Sequence, residues 1–489
     1  MRRTVTKIAR KVARIVVSIL FGGFVTLLTI HVLQARALPD LTIWHSDELA
    51  DEYDAGDSDA TFEAYLAHEH ELFDELERMT AEHGHAGMAA RFDRFSPGSR
   101  SNAAGRGHNW NRTYVLRPEK VRGAALLLHG LSDSPYSLRA VAEVLEGLGF
   151  YVVGLRVPGH GTIPGSLTRV RAEDWGEAVA LAAREVAAVA DKAGEVAPFI
   201  IVGYSNGSAL AVDHTLETIE NGEGRTPDQL ILLSPALTVS KLAALARVQL
   251  WLSYVPGLSK LAWTDILPEY DPYKYNSFAV NAGRQIYRLT GNIRDRVLAL
   301  SSEQKKRFPP VLAFGSAVDA TVPPTSVLEL EQVIGPNGSE IVLFDINRMT
   351  EAADFIRSGS KSLGYLPALL AADDLSYDLT IVTNTSNTTQ ETVARTKPAG
   401  SDEWKSKPLP TPWPRQVFSL SHVAVPFRPD DPVYGAVADD EPVRPYPPIG
   451  SLVARGEKGI LGIPMDLAMR LRHNPFFGYV EERITQTLR

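Results

Sequence analysis

The sequence predicts an α/β fold: a mostly parallel central sheet flanked by helices, with a helical cap and an N-terminal transmembrane helix. Three observations predict it. From residue 112 onward, short apolar runs of strand length alternate with helical stretches, the pattern of parallel strands buried on both faces. Several of those runs end in loops rich in Gly, Ser, Asp and His, where open α/β sheets gather their chemistry. Ahead of them, residues 15–33 contain no Asp, Glu, Lys or Arg and follow a basic terminus.

Composition narrows the function classes. The chain has 489 residues, 44% of them hydrophobic, a formal charge of −8 and no cysteine. That apolar content suffices for a core. Without cysteine there is no disulfide framework, no cysteine nucleophile and no thiolate metal site. Mild acidity argues against nucleic-acid binding through bulk charge. The charge is also local: the first 14 residues carry six cations and no acid, residues 47–77 carry 13 acids and no Lys or Arg, and the remainder is close to neutral at −1.

These features divide the chain into a basic tip and anchor (1–40), an acidic helical collar (41–110) and a main domain (111–489). As a helix, residues 15–33 span about 28 Å, close to the thickness of a bilayer's hydrocarbon core. The six preceding cations keep the amino terminus in the cytoplasm and put the body on the far side, periplasmic or extracellular. Cleavage at Ala35-Arg36-Ala37, which would release the body as a secreted protein, is the competing expectation. In the collar, Phe62, Tyr65, Leu66, Leu72, Phe73, Leu76 and Met79 recur at helical spacing, so one stripe packs while the carboxylates stay in solvent. Strands are expected at 113–116, 124–129 (AALLLH), 151–155 (YVVGL), 199–202 (FIIV), 229–233 (QLILL) and 311–314 (VLAF), with a strand-like run at 416–420. Helices are expected at 138–148, 175–190, 208–219 and 479–488.

The strand APFIIV runs directly into Gly203-Tyr204-Ser205-Asn206-Gly207 and then a helix. G-x-S-x-G alone is a weak signal; between a strand and a helix it describes a serine held on a strained turn, with a helix amino terminus behind it to favour developing negative charge. A serine hydroxyl needs a base, and the base needs an orienting carboxylate. If the chain order is Ser, acid, His, two histidines follow the VLAF strand, His422 and His473. His422 sits at the end of the strand-like run and is favoured; His473 lies in what reads as a surface helix. The acid expected at a strand end is Asp319, before a Pro-Pro, with Asp345 its competitor after IVLF. Backbone N–H donors for an oxyanion are expected at Asn206 and Leu131, the latter in the loop His129-Gly130-Leu131, which His129 supports by hydrogen bonds.

Together LLLHGLSDSPYSL, VPGHGT, GYSNGS, VDATVPP and SLSHV resemble the α/β-hydrolase superfamily, and within it the monoacylglycerol-lipase, serine-aminopeptidase-like and carboxylesterase branch. The resemblance covers about 112–325 and resumes at 414–428. It implies Ser205 as nucleophile, Asp319 as acid, His422 as base, Leu131 and Asn206 as oxyanion donors, an entrance shaped by Pro158-Gly159-His160-Gly161, and no cofactor or metal. One departure is the 103-residue step from Asp319 to His422, where 383–414 is polar and proline-rich and reads as an inserted loop.

The insertion at about 236–308 corresponds to the cap of that family. It holds Leu242, Leu245, Val248, Leu250, Trp251, Leu252, Tyr254, Leu258, Leu261, Trp263, Tyr270, Tyr273 and Tyr275, a composition suited to acyl chains. The expected function is a membrane-anchored serine esterase acting on lipid-like or acyl esters. A peptidase or amidase on the same triad is one alternative, with Glu269 and Asp271, expected on the surface, as its amino-group site. A non-catalytic anchored binding protein is the other. Asn111, Asn384 and Asn387 head N-x-S/T sequons.

Overall fold

The computed structural model describes residues 2–47, 49, 52, 61–83, 91–104, 107–238, 246–351, 363–436, 449–451 and 469–489, leaving out the side chains at 2–10, 20, 24, 27, 28, 31, 246–248 and 451. The strands are β1 (Tyr114–Leu116), β2 (Gly123–Leu128), β3 (Phe150–Leu155), β4 (Phe199–Tyr204), β5 (Gln229–Leu233), β6 (Trp263–Asp265), β7 (Phe278–Ala279), β8 (Val311–Ser316), β9 (Glu340–Phe344), β10 (Asp378–Asn384), β11 (Thr392–Lys397) and β12 (Lys405–Leu409). Helices are α1 (Arg2–Arg36), α2 (Ile43–Ser46), α3 (Phe62–His83), α4 (Arg139–Gly147), α5 (Ala172–Ala193), α6 (Asn206–Asn221), α7 (Ala246–Ser253), α8 (Val280–Ala299), α9 (Ser302–Lys306), α10 (Thr325–Ile334), α11 (Leu366–Ala371) and α12 (Phe477–Thr487).

Ten strands form one sheet in the order β1-β3-β2-β4-β5-β8-β9-β10-β11-β12. The run from β3 through β10 is parallel throughout, and antiparallel β1 and β11–β12 finish its two edges. Apolar residues of the central strands alternate between two cores, as a period of two requires. Ala124, Leu126 and Leu128 of β2 face the core built with α5, α6, α8 and α10. Ala125 and Leu127 face the core built with α4 and α12. Both faces are therefore covered, which is why these strands are near-continuous apolar runs.

Three local expectations are corrected. Residues 383–414 are not an inserted loop: β10, β11 and β12 pair in register there and extend the sheet. Their alternating Thr and Val side chains suit a pleated, half-buried edge, and exposed Lys405, Lys407 and Pro408 blunt the last strand against further pairing. Residues 416–420 form no strand. The chain arrives at His422 through a loop whose carbonyls at Val417 and Phe418 are used by Asn347. His473 lies ahead of α12 and not inside a helix.

The insertion divides in two. Helix α8 packs on α5, α6 and α10 and completes the core, whereas Trp251 of α7 and Tyr254 just after it are exposed. Leu261, Trp263, Tyr270, Tyr273 and Tyr275 are buried; Leu242, Leu245 and the Val248 side chain lie outside the described residues.

At the amino terminus, α1 contains residues 15–33, and among the described residues no helix is long and apolar enough to cross a membrane. Five of the nineteen side chains in that stretch lie outside the described set. Helix α3 forms as its spacing predicts, burying Phe62, Tyr65, Leu72 and Phe73. Its acids are not all in solvent, however. Glu69 is 4% exposed, because a buried arginine of the main domain faces it.

Candidate active site

The site is assembled at the carboxyl ends of β2, β4 and β8 by the loops that leave them. After β4 the chain reverses into α6 within one residue, and Ser205 takes φ +53° and ψ −115°, a region that side-chain-bearing residues rarely occupy and that stores strain. Such a turn leaves no room for side chains on either flank. A Cβ on Gly203 would lie 2.5 Å from Ser208 Cα, and one on Gly207 would lie 1.9 Å from Leu128 O. The serine N–H is tied back to Leu233 O at 2.9 Å, so the hydroxyl is presented above the sheet with fixed direction.

Asp319 comes from the loop after β8. Its Oδ1 accepts the N–H groups of Thr321 (2.8 Å) and Val322 (2.9 Å), which leaves Oδ2 directed at His422 Nδ1, 2.8 Å away. With the Nδ1 proton given to that carboxylate, Nε2 is free to accept from the Ser205 hydroxyl at 2.9 Å. All three residues are buried. Ser, His and Asp, chosen separately from the sequence, thus lie in one continuous hydrogen-bonded chain, across 217 and 103 residues of sequence. The competitors do not join it. Asp345 Oδ2 pairs with Arg348 and accepts from Thr383. His473 faces Tyr434 O at 3.3 Å.

Asn206 follows the serine directly, and Leu131 follows Gly130, on which a Cβ would lie 3.2 Å from Ser205 Cβ. Asn206 opens α6, so its N–H has no partner within the helix, and neither N–H donates to another group in the described residues. The loop carrying Leu131 is held from beneath by His129. The imidazole donates from Nδ1 to Gly130 O (2.9 Å) and accepts the Val157 N–H at Nε2 (3.0 Å). Burial, with His160 nearby, holds His129 well below its ordinary range, so it stays neutral and keeps that tautomer.

Several contributors carry no signal in the sequence. The Tyr204 ring stacks on His422 with centroids 5.7 Å apart, and Ser234 Oγ donates to His422 O at 3.2 Å. From the insertion, Lys274 pairs with Asp133 at 2.9 Å and the Tyr275 N–H donates to Ser132 O at 2.8 Å, tying the insertion to the loop after β2. Arg470 of the tail reaches Thr321 Oγ1 at 3.4 Å. Such contacts depend on pairs far apart in sequence, and no spacing motif encodes them. Glu269 and Asp271, expected on the surface, are instead buried. Glu269 accepts from the Asn276 and Ser277 N–H groups, and burial pushes it up to about 7 against those bonds. Asp271 accepts from Tyr434 and the Tyr273 N–H.

Residues 119–345 match the hydrolase family described as serine aminopeptidase, S33. No curated protein matches the chain. Among solved structures, the chain is similar to the metagenome-derived lipolytic enzymes LipS and LipT, at 20% identity and TM-score 0.35, over 53% of this chain and 97% of the other. It is also similar to a monoacylglycerol lipase from Paleococcus ferrophilus (22%, TM-score 0.34, 48% and 89%) and to a thermostable carboxyl esterase from Bacillus coagulans (15%, TM-score 0.32, 48% and 84%). Similarities of this degree speak to neither substrate nor mechanism. The family match over residues 119–345, the parallel sheet order and the serine turn between β4 and α6 together give residues 119–345 the α/β-hydrolase fold.

Proposed function

We propose that the chain is a serine hydrolase that cleaves carboxylic esters, lipid-like or acyl, through an acyl-enzyme. The observation that carries this is the hydrogen-bonded relay from Ser205 Oγ to His422 Nε2 and from His422 Nδ1 to Asp319 Oδ2, at 2.9 and 2.8 Å. His422 takes the serine proton as Oγ attacks the ester carbon, and the resulting oxyanion is met by the Leu131 and Asn206 N–H groups. The imidazolium then protonates the departing alcohol. In the second half His422 deprotonates a water, which attacks the acyl carbon; the carboxylic acid leaves and Ser205 regains its proton. Asp319 fixes the imidazole tautomer and stabilises its charged form.

Preference for esters over peptides is supported by Glu269 and Asp271. Both carboxylates are buried; the two Glu269 oxygens accept the Asn276 and Ser277 N–H groups, and Asp271 Oδ1 accepts from Tyr434 and the Tyr273 N–H, so neither is presented at the surface as a free carboxylate pair for a substrate amino group. A purely binding role places no demand on three aligned catalytic side chains. A fluorophosphonate probe tests the proposal. It labels the wild type and not Ser205→Ala, whereas an unlabelled wild type refutes it. Chain-length profiling of p-nitrophenyl esters then tests the acyl preference, which fails if only short esters turn over.

We further propose that residues 15–33 anchor the enzyme with its body beyond the membrane. Support comes from the uncharged stretch behind six cations and from the exposed Ile15, Val17, Ile19 and Phe21 side chains of α1. Retention of the full-length chain in carbonate-washed membranes is expected; release of a shortened chain overturns it.

A further inference from the structure

The acidic collar makes a specific connection to the oxyanion loop. Arg156 follows β3 directly and is completely buried. A guanidinium so placed needs carboxylate partners, since a buried unpaired charge costs several kcal/mol. Both partners come from the collar. Glu69 of α3 accepts from Arg156 Nε at 3.0 Å and Glu52 accepts from Nη1 at 2.7 Å. Burial alone would raise Glu52, but the Arg156 charge and the bonds from Thr162 and Gly159 outweigh it and hold the carboxyl below its ordinary value.

The geometry around Glu52 goes beyond charge pairing. Its carboxylate also accepts the Gly159 N–H (3.0 Å) and the Thr162 hydroxyl (2.6 Å). One side chain thereby gathers the start, middle and end of the 156–162 turn, while Arg156 Nη1 donates to His160 O from within (3.1 Å). Glu69 braces the base of the same turn: it accepts the Thr113 N–H and hydroxyl, and Thr113 Oγ1 in turn accepts the Arg156 N–H. The far side of the turn meets the oxyanion loop. His160 packs edge-on against His129 with centroids 4.9 Å apart, and the Val157 N–H donates to His129 Nε2 at 3.0 Å. His129 then bonds to Gly130, next to the Leu131 N–H.

We propose that Glu52 and Glu69 are positioning residues for the oxyanion hole, acting through Arg156, the 156–162 turn and His129 on the Leu131 N–H. The collar is thus part of the machinery that aims this donor and not only a spacer between helix α1 and the catalytic domain. The inference rests on the hydrolase reading of Ser205. Its physical basis is that a donor displaced by a fraction of an ångström loses much of its value to a developing oxyanion, even when the cause lies well away from the reacting atoms.

The test uses the full-length chain and separates positioning from folding. A fluorophosphonate titration counts competent serines, and p-nitrophenyl ester turnover is expressed per titrated serine. Glu52→Gln and Glu69→Gln are each expected to lower kcat per titrated serine about tenfold, with KM within about twofold. Glu71→Gln, exposed on the same helix, changes neither. Thr162→Val removes one bond to Glu52 and leaves Arg156 paired; it should lower kcat about threefold, and it serves where a glutamate variant fails to fold. Glu52→Asp, which keeps the charge, should recover part of the loss. A fall in thermal midpoint or in titratable fraction with kcat per serine unchanged overturns the proposal and leaves a structural brace. A labelled, active wild type with unaffected variants overturns this inference alone; an inert, unlabelled wild type overturns the hydrolase reading with it.

Discussion

Replacing Gly207 by alanine places a methyl group 1.9 Å from Leu128 O, 2.4 Å from Leu128 C and 2.8 Å from His129 O. The first contact is roughly 1.5 Å inside ordinary van der Waals separation, and all three partners are backbone, so no side-chain rotation relieves it. Either α6 withdraws from the end of β2 or the β2 loop lifts. Both movements open the space between Asn206, one residue before Gly207, and Leu131, three residues after Leu128. The expected stability loss is about 1–3 kcal/mol, the usual range for overpacking against a rigid wall. The expected catalytic loss is larger: if one of the two oxyanion donors is displaced, kcat falls by roughly 10²–10³. Thermal unfolding and ester turnover per fluorophosphonate-titrated serine measure the two effects separately. A Gly207→Ala enzyme with wild-type midpoint and wild-type kcat would show that the helix and the β2 loop are not held at this distance, and the geometric basis assigned to the oxyanion hole would fall with it.

Three further outcomes follow from the same geometry. Ser205→Gly should abolish labelling yet raise the thermal midpoint by about 2 °C, because glycine relieves the strain at φ +53° by more than its added unfolded-state entropy costs; a lowered midpoint refutes the strain. Asp319→Asn should lower kcat roughly 10⁴-fold, by analogy with the same exchange in serine proteases, whereas Asp345→Asn, which loses only bonds to Arg348 and Thr383, should stay within about threefold. Equal losses would move the acid role. Burial raises Glu331 to about 7 from 4.5, so the folded state binds its proton more tightly than the unfolded one. That contribution is complete below pH 4.5 and disappears as pH rises through about 7. Glu331→Gln should therefore gain about 3 kcal/mol relative to wild type between pH 4 and pH 8, read as diverging unfolding midpoints; parallel pH curves refute it.

The legible and illegible parts of this chain differ in the kind of interaction that defines them. Strands buried on both faces are written as apolar runs, so β2, β3, β4, β5 and β8 are readable from their residues. The serine turn is readable because its steric demands select glycine at 203 and 207. β10 to β12 are not, because an edge hairpin exposes one face and its Thr, Lys and Pro residues resemble a loop in composition. The strand expected ahead of His422 does not form, and the histidine's position is set instead by Asn347 and Ser234 bonding to the loop that carries it. Tyr204, Lys274 and Arg470 act through partners distant in sequence, which no local pattern specifies.

The 103-residue separation of Asp319 and His422 also has a structural explanation. In the parallel part of the sheet each strand is enclosed by two others, so an insertion there must disturb a pairing on both sides. Past β9 that constraint ends. Strand β10 continues the parallel register on β9, β11 and β12 turn back antiparallel along the open edge, and the chain returns across Trp413, which packs edge-on against Phe476 ahead of α12. The extension thus grows the sheet outward, away from the carboxyl ends of β2, β4 and β8. Asn347, just beyond β9, then takes hold of the returning loop through Pro414, Val417 and Phe418. Because this clamp sits at the near end of the insertion, the length of chain beyond it has no leverage on His422. The distance from Asp319 to His422 is fixed by the clamp and by the Asp319 loop, and the hydrogen bond between them closes at 2.8 Å across a sequence gap that on its own would argue against it.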